Sequence, residues 1–298
     1  MLCGCKYIEQ NNPILFCIYE KKAVPLQKIL YMRCCRFIII ALLLMPLVSK
    51  ATEKESLFSW SANATLTSNY LWRGLYCGGP SLQLDATVDY AGFYANMWWN
   101  VGATDWTFSG FNPEVDVQIG FSRWGLNINY LHCFYFDKHP NGAPTRFFDF
   151  GNYARGEGGT TGEWRVSYRV SDKIPLSCLL ACRTFSRDGY VVDGELKRAY
   201  SSYVELGYDF DLTQDWLLAA RVGVTPWKSL YTRYQGDFAV TMVQLKLTKT
   251  WPLAYGTMTA FANAMLQPWQ MTRENLVKPI AEAGGQKLNL AVGCTVSL

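Results

Sequence analysis

Residues 81–90, SLQLDATVDY, alternate without a break: Leu82, Leu84, Ala86, Val88 and Tyr90 on one parity, Ser81, Gln83, Asp85, Thr87 and Asp89 on the other. A strand sends successive side chains to opposite faces, so this stretch is a ribbon apolar on one side and hydrophilic on the other. The pattern recurs clearly from Trp60 to Leu66, Phe93 to Val101, Glu114 to Ser122, Trp124 to Tyr130 and Glu163 to Val170. Weaker versions follow at 176–185, 202–210, 216–224, 239–249, 254–266 and 288–298, which makes twelve strands. No amphipathic helical period extends beyond about three turns. No low-complexity linker divides the chain either, so one domain is expected.

The connections add a second constraint. Ala91-Gly92, a tight turn around Arg123-Trp124-Gly125, Ser171–Pro175, Asp211–Asp215 and Thr250–Leu253 are short. The others, 74–80, 103–113, 135–160, 186–200, 225–237 and 267–286, are long. Short and long loops therefore alternate, as in an up-and-down barrel with tight turns at one end and long loops at the other. Packing the charged face into a dry interior would cost several kcal/mol per unpaired group. Lipid outside and water inside satisfies both faces, and closure pairs every backbone group. The expectation is an all-β chain: a closed antiparallel up-and-down transmembrane β-barrel of about twelve strands.

The amino-terminal region reads differently. Met32 to Arg36 is basic, Phe37 to Val48 (FIIIALLLMPLV) is apolar, and Ser49-Lys-Ala51 has small residues suited to cleavage. The apolar run is too short to span a bilayer, which needs about 20 residues. Residues 32–51 are expected to be a signal peptide, 1–31 an unstructured upstream segment, and 52–298 the barrel. Seven of the 28 basic and two of the 24 acidic side chains fall in residues 1–51, so the remainder holds 21 basic and 22 acidic groups. That balance carries no nucleic-acid footprint.

Catalytic and metal signatures are sparse. The region after residue 51 holds Cys77, Cys133, Cys178, Cys182 and Cys294, an odd and scattered set. Cys178 and Cys182 would lie about 13 Å apart along a strand, beyond the roughly 7 Å limit of a disulfide and too far to share a metal. No zinc spacing and no nucleotide loop appear, so no cofactor is expected. The histidines are His132, on the lipid-facing parity, and His139, in a loop beside Asp137. A barrel hydrolase would need one of them beside a nucleophile; the expectation is that the chain is not an enzyme.

The inward parity supplies the candidate pore lining. Asp85, Asp89, Glu114 and Asp116 make an acidic wall; Arg165, Arg169, Arg183 and Arg221 make a basic one, interrupted by Glu163, Glu205 and Asp209. Two outcomes follow: a transverse field across the lumen that orients solutes, or local pairing that fills the interior. Trp72 is placed at the lipid–water boundary and Arg73 at the lumen mouth.

Ser68-Asn-Tyr-Leu-Trp-Arg-Gly74, Pro80-Ser-Leu-Gln83, Asp89-Tyr90, Gly92-Phe-Tyr-Ala-Asn-Met-Trp98 and Glu114-Val-Asp-Val117 together resemble the TorF family of outer-membrane porins. The resemblance covers about residues 66–121. It implies a Gram-negative outer-membrane barrel that conducts small polar solutes. Its partners would be membrane lipid, lipopolysaccharide and the outer-membrane assembly machinery. Leu298 stands where such barrels usually end in an aromatic residue. A surface receptor or adhesin acting through the long loops is the alternative. Phe147, Phe148, Phe150 and Tyr153 lie in one long loop and Trp269 in another. Deleting residues 140–158 separates the readings, since a plug raises conductance when removed and a receptor loses binding.

Overall fold

The computed structural model describes residues 57–111, 113–136, 146–148, 159–186, 188–271 and 288–298. In chain order the first strands are β1 (Phe58–Thr67), β2 (Tyr70–Trp72), β3 (Leu75–Gly78), β4 (Ser81–Tyr90), β5 (Phe93–Gly102) and β6 (Glu114–Arg123). Next come β7 (Leu126–Tyr135), β8 (Thr160–Arg169), β9 (Leu176–Ser186), β10 (Gly189–Val192) and β11 (Glu195–Arg198). The last are β12 (Ser202–Asp211), β13 (Trp216–Thr225), β14 (Ala239–Leu253), β15 (Gly256–Leu266) and β16 (Leu288–Ser297).

Twelve of these close into a barrel in the order β1-β16-β15-β14-β13-β12-β9-β8-β7-β6-β5-β4. Every neighbouring pair is antiparallel, including the β1–β16 seam, where Asn63 to Thr67 face Ser297 to Gly293. Closure leaves no unpaired sheet edge, which is what a strand crossing lipid requires. The tight turns and the long loops lie at opposite ends. Ala91-Gly92 and Trp124-Gly125 have positive φ at both positions, the mirror-image turn whose twist matches a two-residue hairpin.

The register carries the alternation into three dimensions. Leu84 pairs with Trp99, and Ala95 with Ile119. Trp60, Leu66, Leu84, Met97, Trp99, Ile119, Leu206, Val222, Leu245 and Leu290 are all exposed on the outer wall. The inward parity holds Asn96, Asn100, Glu114, Asp116, Asn129, Glu163, Arg183 and Asp209, all buried. The chain is thus a transmembrane β-barrel with an apolar outer belt. At the short-turn end the Lys249 ammonium lies 5.2 Å from both the Trp216 and the Trp251 ring centroids. An amphipathic stem among aromatic rings is the usual arrangement at a lipid–water boundary.

Two hairpins depart from the twelve-strand expectation. β10 and β11 form a separate ribbon within the long loop after β9. Asp188, at its base and 1 % exposed, accepts hydrogen bonds from the Ser201 backbone (2.7 Å) and hydroxyl. Ser201 Oγ in turn accepts from the Leu230 N–H at 2.8 Å, which ties this loop to the one after β13. Burial raises the Asp188 carboxyl to about 6. A carboxyl that holds its proton more tightly when folded stabilises the fold fully below its unfolded value, near 3.9, and that stability is lost as pH rises through about 6. The clamp between these loops will therefore loosen from pH 4 to pH 7. Hydrogen exchange of the Ser201 and Leu230 amides measures this, and Asp188→Asn should flatten the pH dependence.

The second hairpin, β2–β3, corrects an expectation. Trp72 does not continue the outward parity of β1, because the chain bends after Thr67 and starts a new ribbon. Arg73 (φ 46°) and Gly74 (φ 84°) then form a two-residue turn that pairs Trp72 with Leu75. The ribbon folds into the barrel.

Candidate functional site

The tip of the β2–β3 hairpin lies inside the long-loop end of the barrel. Trp72 and Leu75 flank the turn, and with Leu71 they pack on Ala181, Tyr203, Met242 and Met265. These last four project inward from β9, β12, β14 and β15, so the hairpin rests on an apolar patch of an otherwise hydrophilic lumen. A Cβ on Gly74 would stand 2.2 Å from the Thr241 carbonyl oxygen. Only glycine allows the tip to approach β14 this closely. Tyr203 has room to lie flat because the neighbouring strand has Gly223 beneath its ring, where any Cβ would collide with the hydroxyl at 2.1 Å.

Arg73 fastens the tip. Its Nη1 donates to Glu163 Oε2 at 2.8 Å and to the Tyr231 hydroxyl oxygen at 2.9 Å. Its guanidinium lies over the Trp72 and Tyr203 rings at 4.7 and 4.8 Å. Arg73 is 8 % exposed and Glu163 3 %. A desolvated pair of this kind stabilises little over an apolar substitute, yet removal of one partner strands a buried charge. The arginine also holds a left-handed backbone conformation that costs about 1–2 kcal/mol. Strain and pairing together mark the tip as a fastened element.

Below the hairpin runs a hydrogen-bonded belt. Asn63 donates to Asp85 at 2.9 Å, Asn96 to Asp85 at 2.7 Å and Gln118 to Asn96 at 3.0 Å. Arg165 donates to Gln118 and, at 2.7 Å, to Asn129. The belt spans β1, β4, β5, β6, β7 and β8 with paired polar groups. Nearer the short turns, Arg169 Nη1 meets Asp209 Oδ2 at 2.6 Å. Arg221 meets the other Asp209 oxygen and lies 4.0 Å from Glu205.

The sequence-derived candidates thus fall into distinct places. Arg73, expected at the lumen mouth, is instead buried at the hairpin tip. Asp85 and Arg165 belong to the belt, and Arg169 and Arg221 share Asp209. Asp89 sits at the short-turn end, where its carboxylate accepts the Gly92 N–H at 3.0 Å. Arg183 has its guanidinium 5.6 Å from the Trp72 centroid. Glu114 and Asp116 line a cavity of about 190 Å³ with Tyr70, Trp72, Cys77, Cys133 and Tyr135. Glu163 and Asp209 thus join arginines within the basic wall, while Asp85 on the acidic wall is held by the amides of Asn63 and Asn96. Sequence reasoning missed Tyr203, Tyr231, Met242 and Met265, since nothing local marks an inward methionine as a seat.

His132 is buried against the outer wall, with Nε2 2.7 Å from the Phe147 carbonyl oxygen and its ring 4.7 Å from that of Phe147. The imidazole is thus held by a backbone carbonyl and a tilted ring contact, and it stacks on Tyr130. His139 and Asp137 lie outside the described residues, as do Phe150 and Tyr153.

No protein-family model matches this chain, and no curated protein matches it. Among solved structures, the KdgM porin overlays with a TM-score of 0.40 at 9% identity, covering 80% of this chain and 99% of that one. The NanC porin gives 0.41 at 9% with the same coverage. An anion-selective porin from Comamonas acidovorans gives 0.31 at 10%, covering 80% and 98%. At this overlap none of them bears on what the chain does.

Proposed function

We propose that this protein is a porin-like passive channel of the Gram-negative outer membrane, of the TorF kind, for small polar solutes, with the β2–β3 hairpin narrowing its lumen. The single observation that carries the reading is a twelve-strand wall, apolar outside, whose interior holds a continuous belt of paired polar side chains from Asn63 to Asn129. A barrel of this size lies between the roughly eight strands that side chains fill and the 16 or more that leave a wide channel. A folded-in ribbon is a direct way to set an intermediate bore. Lipid and lipopolysaccharide would contact the outer belt, and the outer-membrane assembly machinery would insert the barrel.

Reconstitution into planar bilayers tests the reading: discrete ohmic steps are expected, and vesicles should swell in small sugars. No conductance and no swelling from correctly folded protein would reject it. The inner arginines should set ion preference. Arg165→Gln with Arg169→Gln should shift the reversal potential toward cation preference in a salt gradient, and unchanged reversal would remove them from the conduction path.

A further inference from the structure

The cavity beneath the hairpin has a chemistry that conduction does not explain. Asp116 on β6 faces Cys133 on β7 across the ladder, and Glu114, two residues earlier, shares the inward face. One carboxylate oxygen from each acid and the Cys133 sulfur all lie within 4.8 Å of one another, and all three residues are buried. Tyr70 and Cys77 of the hairpin complete the lining.

Electrostatics leave this cluster incomplete. Asp116 is 9 % exposed, and its Oδ1 is buried with no hydrogen-bond partner. An orphaned carboxylate oxygen costs more than a neutral one. Arg73 is committed to Glu163, and Arg165 to Asn129 and Gln118; Arg183, also buried, acts on Glu114 only from beyond ion-pair distance. Among the described residues no cation lies within ion-pair distance of either carboxylate. Two buried acids this close must share a proton or hold a cation.

We propose that Glu114, Asp116 and Cys133 form a site for one zinc-class divalent ion beneath the hairpin, open to a fourth ligand from the lumen. Two oxygens and a thiolate suit a borderline-soft d¹⁰ ion and disfavour Mg²⁺ and Ca²⁺, which take oxygen donors. In a tetrahedral site, bonds of about 2.0–2.3 Å bring donors to roughly 3.3–3.6 Å from one another. A small side-chain rotation therefore closes the cluster on an ion. Binding must release the thiol proton, so affinity should rise with pH.

The experiment uses the refolded barrel in detergent, stripped with chelator and kept reduced with a phosphine. Zn²⁺ is titrated by calorimetry, and Co²⁺ by its thiolate charge-transfer absorption. One ion per chain is expected. Binding should weaken by about 10–100-fold or more in Asp116→Asn and in Cys133→Ser, while Cys294→Ser binds as the parent does. Heat-modified gel mobility shows that each variant is folded. Absence of stoichiometric Zn²⁺ binding by the parent, or equal binding by both ligand variants, overturns the site. The readout is independent of conductance, so it succeeds or fails apart from the channel reading.

Discussion

Glu163→Gln will release the β2–β3 hairpin and, in the proposed channel, raise conductance. The substitution removes the charge that faces the Arg73 guanidinium, in a setting where both groups are almost wholly buried. Breaking one side of such a pair costs about 3–5 kcal/mol. Arg73 has the Tyr231 hydroxyl and two aromatic faces left, and these do not replace a full counter-charge. The apolar contacts of Trp72 and Leu75 oppose release, yet the left-handed backbone at Arg73 favours it. The tip should therefore spend much of its time away from β8. Single-channel conductance should rise, and trypsin should cut after Arg73 in the variant but not in the parent. The barrel itself stays closed, since its ladder does not depend on the plug. Arg73→Met combined with Glu163→Met should restore a seated hairpin and low conductance, because removing both charges leaves nothing stranded. Equal conductance of parent and Glu163→Gln would show that the hairpin does not limit flow.

Leu206→Arg will destabilise the barrel by about 2–4 kcal/mol in lipid, the range for a cation at the mid-plane of an outer face. Leu206 sits midway along β12 and is 57 % exposed. A water-soluble barrel would be nearly indifferent to this change, since surface substitutions are usually within about 0.5 kcal/mol. Urea unfolding in vesicles should show the lower midpoint. Glu205→Gln, one residue earlier and facing inward, should have a much smaller effect because its carboxylate is only 4.0 Å from a cation that Asp209 already holds. Equal midpoints for Leu206→Arg and the parent would mean that this face does not meet lipid.

The two halves of the barrel differ in how plainly the sequence marks them. β4, β5, β6 and β8 alternate cleanly because their inward positions face water or the polar belt. β9, β12, β14 and β15 alternate weakly, and Leu179, Ala181, Tyr203, Met242 and Met265 are why. These inward apolar residues seat or border the hairpin. The weak alternation was thus a signal of the plug, legible only once the plug is known. The metal cluster was hidden for a related reason. Glu114 and Asp116 stand out in the chain, but Cys133 joins them through the β6–β7 register, and no ligand spacing along one strand records that.

What the sequence alone determines is the two-faced ribbon, the count of twelve barrel strands and the sorting of loops into a short end and a long end. Each of these is local, since parity and turn length are properties of neighbouring residues. Only the tertiary structure decides that Ser68 to Pro80 turns inward, that Arg73 meets Glu163, and that the inner charges pair side by side. The partners of Arg73 are 90 and 158 residues away and Asp209 is 40 residues from Arg169; strand register and barrel closure bring them together, and no period in the chain encodes that.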